Sequence, residues 1–320
     1  MASALALSSC GTNSSPVVKR TKPLSLSTQL RTTRMSASPA SAVTDGRFVR
    51  PVTIGGLRIA KAPPSMQAAP LGLDLAEAKR YVGLTGGLLP GRQVVGYGLV
   101  TLTWGNVSGI DRAAGVMVIK PSGVPYERLR AEDLVAVALD GTVIGGRLRP
   151  SSDTDTHLQL YRAFPGIGGV VHTHSTHATA FAQAGREIPV LGTTHADLAP
   201  LAVPVARALS EAEVAGSYEE STGTILVEAV GDQGPARVPA VLAPGHGPFA
   251  WGADPKAAVE VAATLEEVAR MALLTYQLAP GTGPLPAHVR DKHFSRKHGP
   301  GATYGQGGGE GDPVAGSGRG

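Results

Sequence analysis

The stretch "GGVVHTHSTH" at residues 168–177 constrains the fold of this chain more than any other. A short apolar run bounded by glycine predicts a buried β-strand, and "STHATAFAQAG" after it predicts a helix that ends at Gly185. Side chains alternate between the two faces of a strand, so His172 and His174 are expected to point the same way. They either share a metal ion, or one is buried and hydrogen-bonded while the other is exposed.

A third histidine, His246 in "APGHGPFAWG", is the best candidate to complete a metal site. It follows an apolar strand in a glycine-flanked turn, where the backbone can come close. Catalytic zinc usually takes three protein ligands and leaves one position for water or substrate. His177 falls in the predicted helix and is expected to lie outside this group. Asp153 in "RPSSDTDTH" either adds a carboxylate to the site or caps the helix predicted at 151–164.

Two turns rich in small residues, "KPSG" (120–123) and "PSSDT" (150–154), could hold an anion. Each offers hydroxyl and backbone N–H groups, and the second opens a helix, whose N-terminus favours phosphate. Lys120 adds a cation, and Asn106 in "TWGNVSG" adds an amide. Such turns are common without a ligand. Together, however, these residues suggest a phosphorylated substrate.

Two further polar groups lie towards the C-terminus. Asp197 in "GTTHADLAP" is placed in a loop, where it could be a general acid or base, or a turn residue that bonds its own backbone. The run "RDKHFSRKHG" (290–299) is rich in charge, and such runs are usually solvated surfaces.

The remaining pattern mixes strands and helices over about 200 residues, which favours one α/β domain. Strands are predicted in five segments: 98–109, 115–123, a hairpin around Asp140-Gly141, 223–229 and 239–245. A short helix is predicted at 210–222 and a long one at 254–278, with Asp254 as its cap and Pro255 in its first turn. Glycine and proline break the pattern at 84–93.

Composition separates a leader from the rest of the chain. Residues 1–44 hold five basic residues and no acidic one, and are rich in Ser, Thr and Ala, as organelle transit peptides are. The composition favours the chloroplast over the mitochondrion or the cytoplasm. Residues 45–75 are predicted to be a linker, 76–306 the folded domain, and 307–320 a glycine-rich disordered tail.

Several classes of function are disfavoured by the rest of the chain. Of 29 basic and 25 acidic residues, 24 basic and 25 acidic remain outside the leader, so no basic balance suggests nucleic acid. No apolar run approaches the roughly 18 residues of a membrane span. The single cysteine, Cys10, lies in the leader, so a metal would need His, Asp, Glu or water as ligands. There is no P-loop and no G-x-G-x-x-G after a strand.

Seven motifs taken in order resemble the L-ribulose-5-phosphate 4-epimerases of the class II aldolase/adducin superfamily. They are "LVTLTWGNVS", "VIKPSGV", "RPSSDTDTH", "IGGVVHTHSTHAT", "GTTHAD", "HGPFAWG" and "DKHFSRKHG…YGQ", from about Leu99 to Gln306. The resemblance implies a three-layer α/β/α sandwich around a largely antiparallel central sheet. It also implies a homotetramer with active sites between subunits, and interconversion of L-ribulose 5-phosphate and D-xylulose 5-phosphate by retro-aldol cleavage of C3–C4 and re-addition.

The resemblance assigns roles to individual residues. One zinc ion per subunit would be bound by His172, His174 and His246, with Asp153 in a looser fourth position. Asp197 and Tyr304 would be the two acid/base groups, with Tyr304 contributed by the neighbouring subunit. The substrate and its phosphate would contact Asn106, Lys120, Ser122, Gly123, Ser151, Ser152, His293 and Arg296.

Two other functions fit the same superfamily. Class II sugar-phosphate aldolases of the fuculose-phosphate type share the histidines, but typically carry Glu where this chain has Asp153. Adducin-like scaffolds without catalytic activity usually lose the histidines. The family's N-terminal helix is interrupted here by "GLTGGLLPGRQVVGYG" (83–98), which bears on the outer contacts of a tetramer.

Overall fold

The computed structural model of the protein describes residues 53–54, 57–58, 90–299 and 302. The predicted leader, most of the predicted linker, the predicted tail and Tyr304 lie outside these residues. Residues 1–68 form one unit, in which the described part is a pair of antiparallel strands, β1 (Thr53–Ile54) and β2 (Leu57–Arg58). Residues 69–320 form the second unit.

Seven strands form the central sheet of the second unit. In chain order they are β3 (Asn106–Asp111), β4 (Val116–Ile119), β5 (Val135–Ala138), β6 (Val143–Gly145), β7 (Gly169–His172), β8 (Ala240–Ala243) and β9 (Gly247–Gly252). Across the sheet the order is β6-β5-β4-β3-β7-β9-β8, and every neighbouring pair is antiparallel. The strand that carries His172 therefore lies between β3 and β9.

Eight α-helices are described in this unit. They are α1 (Pro90–Gly96), α2 (Thr154–Ala163), α3 (Thr176–Gln183), α4 (Thr193–Leu198), α5 (Glu211–Ala215), α6 (Tyr218–Val230), α7 (Pro255–Leu278) and α8 (Ala287–His298). Single 3₁₀ turns occupy Ala131–Asp133 and Gly231–Gln233. Among the described helices, none combines the length and apolar character that crossing a membrane requires.

Helices cover both faces of the sheet, because the strands are apolar on both faces. Val170 packs into the apolar cluster that includes α2 and α6, whereas Val171 packs into the cluster that includes α3 and α7. The long helix α7 lies against β7 and β9, and α6 contacts both α2 and β8. The predicted three-layer α/β/α sandwich around an antiparallel sheet is confirmed.

The first predicted strand is shorter than expected. Residues 98–105 are turn and irregular segments, and β3 begins only at Asn106. Three residues in this segment, Gly98, Leu102 and Gly105, have positive φ angles, which a strand does not accommodate. Of the break predicted at 84–93, residues 90–93 belong to α1, where Pro90 takes the first helical position at which proline is well tolerated, and residues 84–89 lie outside the described residues.

The strand predicted at 223–229 is wrong, because these residues continue α6. The helix buries Thr222, Ile225 and Leu226, a spacing that suits one helical face. Gly223 meets α2: a Cβ atom there would lie 2.6 Å from Cβ of Gln159 and 3.0 Å from the carbonyl oxygen of Thr156. The β-forming tendency of Ile, Leu and Val is thus overridden by close packing of two helices.

The predicted long helix and hairpin are confirmed. The Asp254 carboxylate accepts a hydrogen bond from the backbone N–H of Ala257 and caps α7, with Pro255 in the first turn. Strands β5 and β6 pair across Asp140-Gly141. The helix predicted at 210–222 is divided at Gly216 into α5 and the start of α6.

Candidate metal and active site

Three histidine side chains converge at one end of the sheet. His172 ends β7, His174 follows two residues later, and His246 lies in the turn between β8 and β9. One ligand nitrogen from each residue lies within 4.8 Å of the other two. His172 is buried, His246 is half-buried and His174 is exposed, so the cluster opens towards solvent on one side.

The sheet topology explains this convergence. Strands β7 and β9 are antiparallel, with His172 opposite Phe249, so the end of β7 meets the start of β9 and the turn that carries His246. Gly247 allows the close approach: a Cβ atom there would lie 2.6 Å from the carbonyl oxygen of Thr173. The glycine-flanked turn predicted to bring His246 near the other histidines therefore does so.

The tautomer of His172 is fixed by its surroundings. Its Nδ1 lies 3.0 Å from the carbonyl oxygen of Pro248, which can only accept, so Nδ1 carries the proton. The Nε2 lone pair is then left for a ligand, and it faces Nε2 of His174 at 3.0 Å. The ring of Phe249 stacks on that of His172, with centroids 4.1 Å apart.

All three histidines are favoured in the neutral form that binds metals. Burial, more than any other cause, lowers the pKa of His172, His174 and His246 below the ordinary histidine value. Mutual repulsion of the positive charges lowers the pKa of His172 and His174 further. Three neutral imidazoles whose ring nitrogens lie within 4.8 Å of one another fit a divalent transition metal.

Asp153 turns towards this cluster. It occupies the N-cap position of α2, yet its side chain makes no capping hydrogen bond. Its Oδ2 accepts a hydrogen bond from Nδ2 of Asn106 at 2.5 Å and lies 3.9 Å from Nε2 of His172. Burial opposes ionisation of Asp153, but the neighbouring histidines and the Asn106 amide outweigh it and lower its pKa. Of the two alternatives for Asp153, side-chain capping of the helix is therefore wrong.

The two predicted anion-binding turns lie side by side. Pro121 and Pro150 form an isolated antiparallel bridge, and the backbone N–H of Ser122 donates to the Arg149 carbonyl. The N–H of Ser151 donates to the carbonyl of Lys120. These two amides are already used, so an anion here would depend on hydroxyls and other N–H groups. Ser122, Gly123 and Ser152 are exposed, and Ser151 is half-buried.

Lys120 is buried beside these turns. Its Nζ donates to the carbonyl oxygens of Pro121 and Thr103 at 3.3 and 3.4 Å and lies 4.8 Å from the centre of the Tyr126 ring. Burial lowers its pKa. The two carbonyls and the Tyr126 ring are neutral, which leaves this ammonium well suited to attract a phosphate.

Asp197 lies on α4 rather than in the predicted loop. Its carboxylate accepts hydrogen bonds from Arg296 at 2.9 and 3.2 Å and from Nδ1 of His293 at 3.1 Å, and not from its own backbone. Burial would raise the pKa of Asp197, but the hydrogen bonds from Arg296 and His293 outweigh it and lower that pKa. The charged C-terminal run is thus a helix, α8, that docks on α4 through this residue.

Two neighbouring histidines lie outside the cluster. His177 pairs with Glu266 on α7, with Nδ1 and Oε1 2.7 Å apart, as expected for a residue on the helix. His195 is buried and donates from Nε2 to the Leu201 carbonyl. Tyr304 lies outside the described residues, so its predicted role stays a prediction.

Sequence reasoning missed the groups that orient the histidines. Pro248 and Phe249 lie within the motif "HGPFAWG", but the motif does not reveal their contacts with His172, and Glu266 lies outside every motif. These roles depend on contacts between distant segments. Asn106 was predicted to bind substrate, but its amide donates to Asp153 and, at 3.1 Å, to Oγ of Ser151. The pairing of β3 with β7 places Asn106 directly opposite His172.

Comparison with known families and proteins gives a consistent set of relatives. The profile of the Class II Aldolase and Adducin N-terminal domain matches residues 90–273. L-ribulose-5-phosphate 4-epimerase UlaF of Salmonella paratyphi A is 57% identical over 210 residues, which cover 66% of this chain and 92% of that protein. The enzyme of the same name from Salmonella typhi matches equally well.

Solved structures share the fold at lower identity. An L-fuculose 1-phosphate aldolase is 24% identical, with a TM-score of 0.58, over 69% of this chain and 94% of that one. L-fuculose 1-phosphate aldolase from Glaciozyma antarctica is 20% identical, with a TM-score of 0.54, over 74% of this chain and 87% of that one. Both likenesses concern the fold alone.

Proposed function

The chain belongs to the class II aldolase and adducin family, and within that family we propose that it is a metal-dependent epimerase interconverting L-ribulose 5-phosphate and D-xylulose 5-phosphate. One observation carries the proposal: relatives that bear this activity in their names are 57% identical over 92% of their length. The cluster of three histidines beside a pair of anion-binding turns supports it.

His172, His174 and His246 would hold the metal, with the Asp153 carboxylate beside them. Zinc is the ion we propose, because neutral imidazoles suit it, and when bound it would act as a Lewis acid towards the oxygens of the ketose. The Pro248 carbonyl and Phe249 keep the ring of His172 oriented. Asn106 keeps the Asp153 carboxylate turned towards the cluster.

The phosphate would lie against the paired turns. Lys120 would supply positive charge, and the hydroxyls of Ser122, Ser151 and Ser152 would donate hydrogen bonds, with Gly123 leaving room for the ligand. This attachment would keep the aldehyde fragment bound while its carbonyl group rotates to present its other face. An epimerase must keep this fragment bound, whereas an aldolase releases it.

Two groups on opposite sides of the substrate are needed to invert C4. Loss of the C4 hydroxyl proton allows the C3–C4 bond to break, which leaves an aldehyde and an enediolate. Re-addition to the other face of the aldehyde, with protonation of the new alkoxide, gives the epimer. We propose Asp197, ionised and held by Arg296 and His293, as one acid/base group and Tyr304 of a neighbouring subunit as the other.

The assembly and location of the protein are part of the same proposal. A homotetramer would bring Tyr304 of one subunit to the histidine cluster of the next. A cleavable leader at 1–44 would direct the protein to the chloroplast. Fusion of this leader to a fluorescent protein, and light scattering of the chain without it, would test the two statements.

A class II sugar-phosphate aldolase is the second candidate, since solved aldolases share the fold. The two activities differ in whether the aldehyde leaves. Purified protein supplied with zinc and L-ribulose 5-phosphate should give D-xylulose 5-phosphate without free glycolaldehyde phosphate. ¹³C NMR detects both compounds. Release of the aldehyde would favour the aldolase. Absence of both products from metal-loaded protein would contradict both and favour a scaffold without catalytic activity.

A further inference from the structure

Helix α3 begins immediately after the segment that carries two of the three candidate ligands. His174 is followed by Ser175, the N-cap residue, and the helix starts at Thr176. The first N–H groups of a helix have no partners within it and are usually satisfied by the side chain of the N-cap residue. Ser175 makes no such hydrogen bond. Its hydroxyl instead accepts a hydrogen bond from Thr173 at 3.2 Å.

The missing cap is supplied by Glu266, a residue of α7 that is distant in sequence. Its Oε1 accepts from the backbone N–H of His177 at 2.8 Å, and its Oε2 accepts from the N–H of Ala178 at 3.0 Å. Oε1 also accepts from Nδ1 of His177 at 2.7 Å. A carboxylate at this position is favoured further by the helix dipole.

The surroundings keep Glu266 ionised. Burial alone would raise its pKa, but the amides of Ala178 and His177, the His177 side chain and the Ser175 hydroxyl outweigh burial and lower it. Its side chain is 16% exposed. A charge held by this many donors resists movement more than a surface ion pair does.

This anchor bears on His174 because its exposed ring contacts only Trp104 and the other two candidate ligands among the described rings, and none of these fixes its backbone. His172 is buried and held by Pro248 and Phe249, whereas His174 is exposed. The backbone of His174 is therefore positioned mainly by what lies on either side of it. On one side is β7, and on the other is the start of α3, which Glu266 ties to the long helix α7.

We propose that Glu266 and His177 are positioning residues that hold the His174 segment in the geometry needed to bind the metal. The inference rests on the proposed metal site. It gives the third histidine of the "HTHSTH" motif a role other than that of a ligand. Glu266 contributes the larger part, because it receives both backbone N–H groups as well as the imidazole.

Metal affinity of the metal-free, full-length protein tests the proposal without reference to catalysis. Co²⁺ and Zn²⁺ are titrated in competition with a chromophoric chelator, and the melting temperature of each metal-free variant is measured alongside. Glu266→Gln should weaken metal binding about 10- to 100-fold, the range seen when partners of metal ligands are removed. His177→Ala should weaken it less. His177→Asn, whose amide can donate in place of Nδ1, should restore most of the loss.

Glu267→Gln is the matched control, since the neighbouring glutamate of α7 is exposed and pairs with Arg270 on the surface of the same helix. It should leave metal affinity unchanged. Equal affinity of wild type and Glu266→Gln would overturn the proposal, as would an equal loss in Glu267→Gln. If Glu266→Gln does not fold, His177→Ala against His177→Asn decides. Wild-type protein that binds neither ion would instead overturn the proposed metal site itself.

Discussion

Asn106 and His172 face each other across the antiparallel pairing of β3 and β7, and the Asn106 amide reaches past this pair to hold the Asp153 carboxylate. The register between β3 and β7 therefore determines which side chains meet at the candidate site. A strand carries alternate side chains on opposite faces, so the same pairing that builds the core brings the amide, the imidazole and the carboxylate together.

Asn106→Ala should weaken zinc binding about 10- to 100-fold, because Asp153 loses the donor that fixes it beside His172. Competition with a chelator measures the change, and the free energy of unfolding of the metal-free protein serves as a check on the fold. Gln233→Ala, an exposed amide, is the control. An unaltered zinc dissociation constant would show that Asn106 does not position Asp153.

His174→Ala should lose metal and epimerase activity together, because one of three imidazoles is removed while the buried core is untouched. Elemental analysis and product formation are measured on the same preparation. His288→Ala removes an exposed histidine of α8 and should change neither. Zinc content equal to that of wild type in His174→Ala would contradict the ligand assignment.

Lys120→Met should raise KM for the sugar phosphate roughly 10- to 100-fold, since a hydrogen bond to a charged group contributes about 1.5–3 kcal/mol. Methionine keeps the length and apolar stem of the buried side chain. Lys256→Met removes an exposed ammonium on α7 and should leave KM unchanged. Normal KM in Lys120→Met would place the phosphate elsewhere.

Gly223→Ala should destabilise the protein by about 1–3 kcal/mol, although alanine favours helices over glycine. The new methyl group would meet Cβ of Gln159 and the Thr156 carbonyl, neither of which can move without shifting α2. Urea denaturation gives the free energy of unfolding. Gly166→Ala, where a Cβ meets nothing within 4 Å, should be nearly neutral. Stabilisation by Gly223→Ala would mean that the helices separate easily.

Acid should destabilise the protein partly through His195. Burial lowers its pKa to about 4, below the ordinary value of 6.5. The unfolded chain therefore binds a proton at a higher pH than the folded one. The stability associated with neutral His195 is complete above pH 6.5 and is lost as the pH falls towards 4, by an amount on the order of 3 kcal/mol at pH 4.

The variant that tests this pH effect is His195→Gln. Its side chain does not titrate, and its amide can still donate a hydrogen bond to the Leu201 carbonyl. Free energies of unfolding from pH 7 to pH 4 should fall less steeply in this variant than in wild type. Parallel curves for the two proteins would show that His195 does not contribute.

Much of the candidate site is visible in local sequence. The H-x-H spacing places His172, the last residue of β7, and His174, just beyond it, close together, and the glycine-flanked turn after β8 places His246 beside them. Asp153 was ambiguous, because an N-cap position and a turned-in carboxylate have the same local pattern. Only Asn106, brought alongside by pairing of β3 with β7, decides between them.

The errors have the same origin in contacts between distant segments. The β-forming residues of 223–229 become helical because Gly223 packs on α2. The local sequence predicts a loop at Asp197, because its partners on α8 lie about 100 residues further along the chain. Glu266, 89 residues from His177, belongs to no motif at all. Such residues are defined by the folded structure and have no local signal.

The position of His246 gives the candidate metal a part in folding as well as chemistry. An ion bound by His174 and His246 would cross-link points 72 residues apart in a chain whose single cysteine is Cys10. Closing a loop of that size in the unfolded chain would cost it conformational entropy equivalent to about 4 kcal/mol on the scale of a disulfide. The metal would then act as a reversible cross-link between the end of β7 and the β8–β9 turn, and its removal by a chelator would loosen the part of the sheet that β7, β9 and the edge strand β8 form.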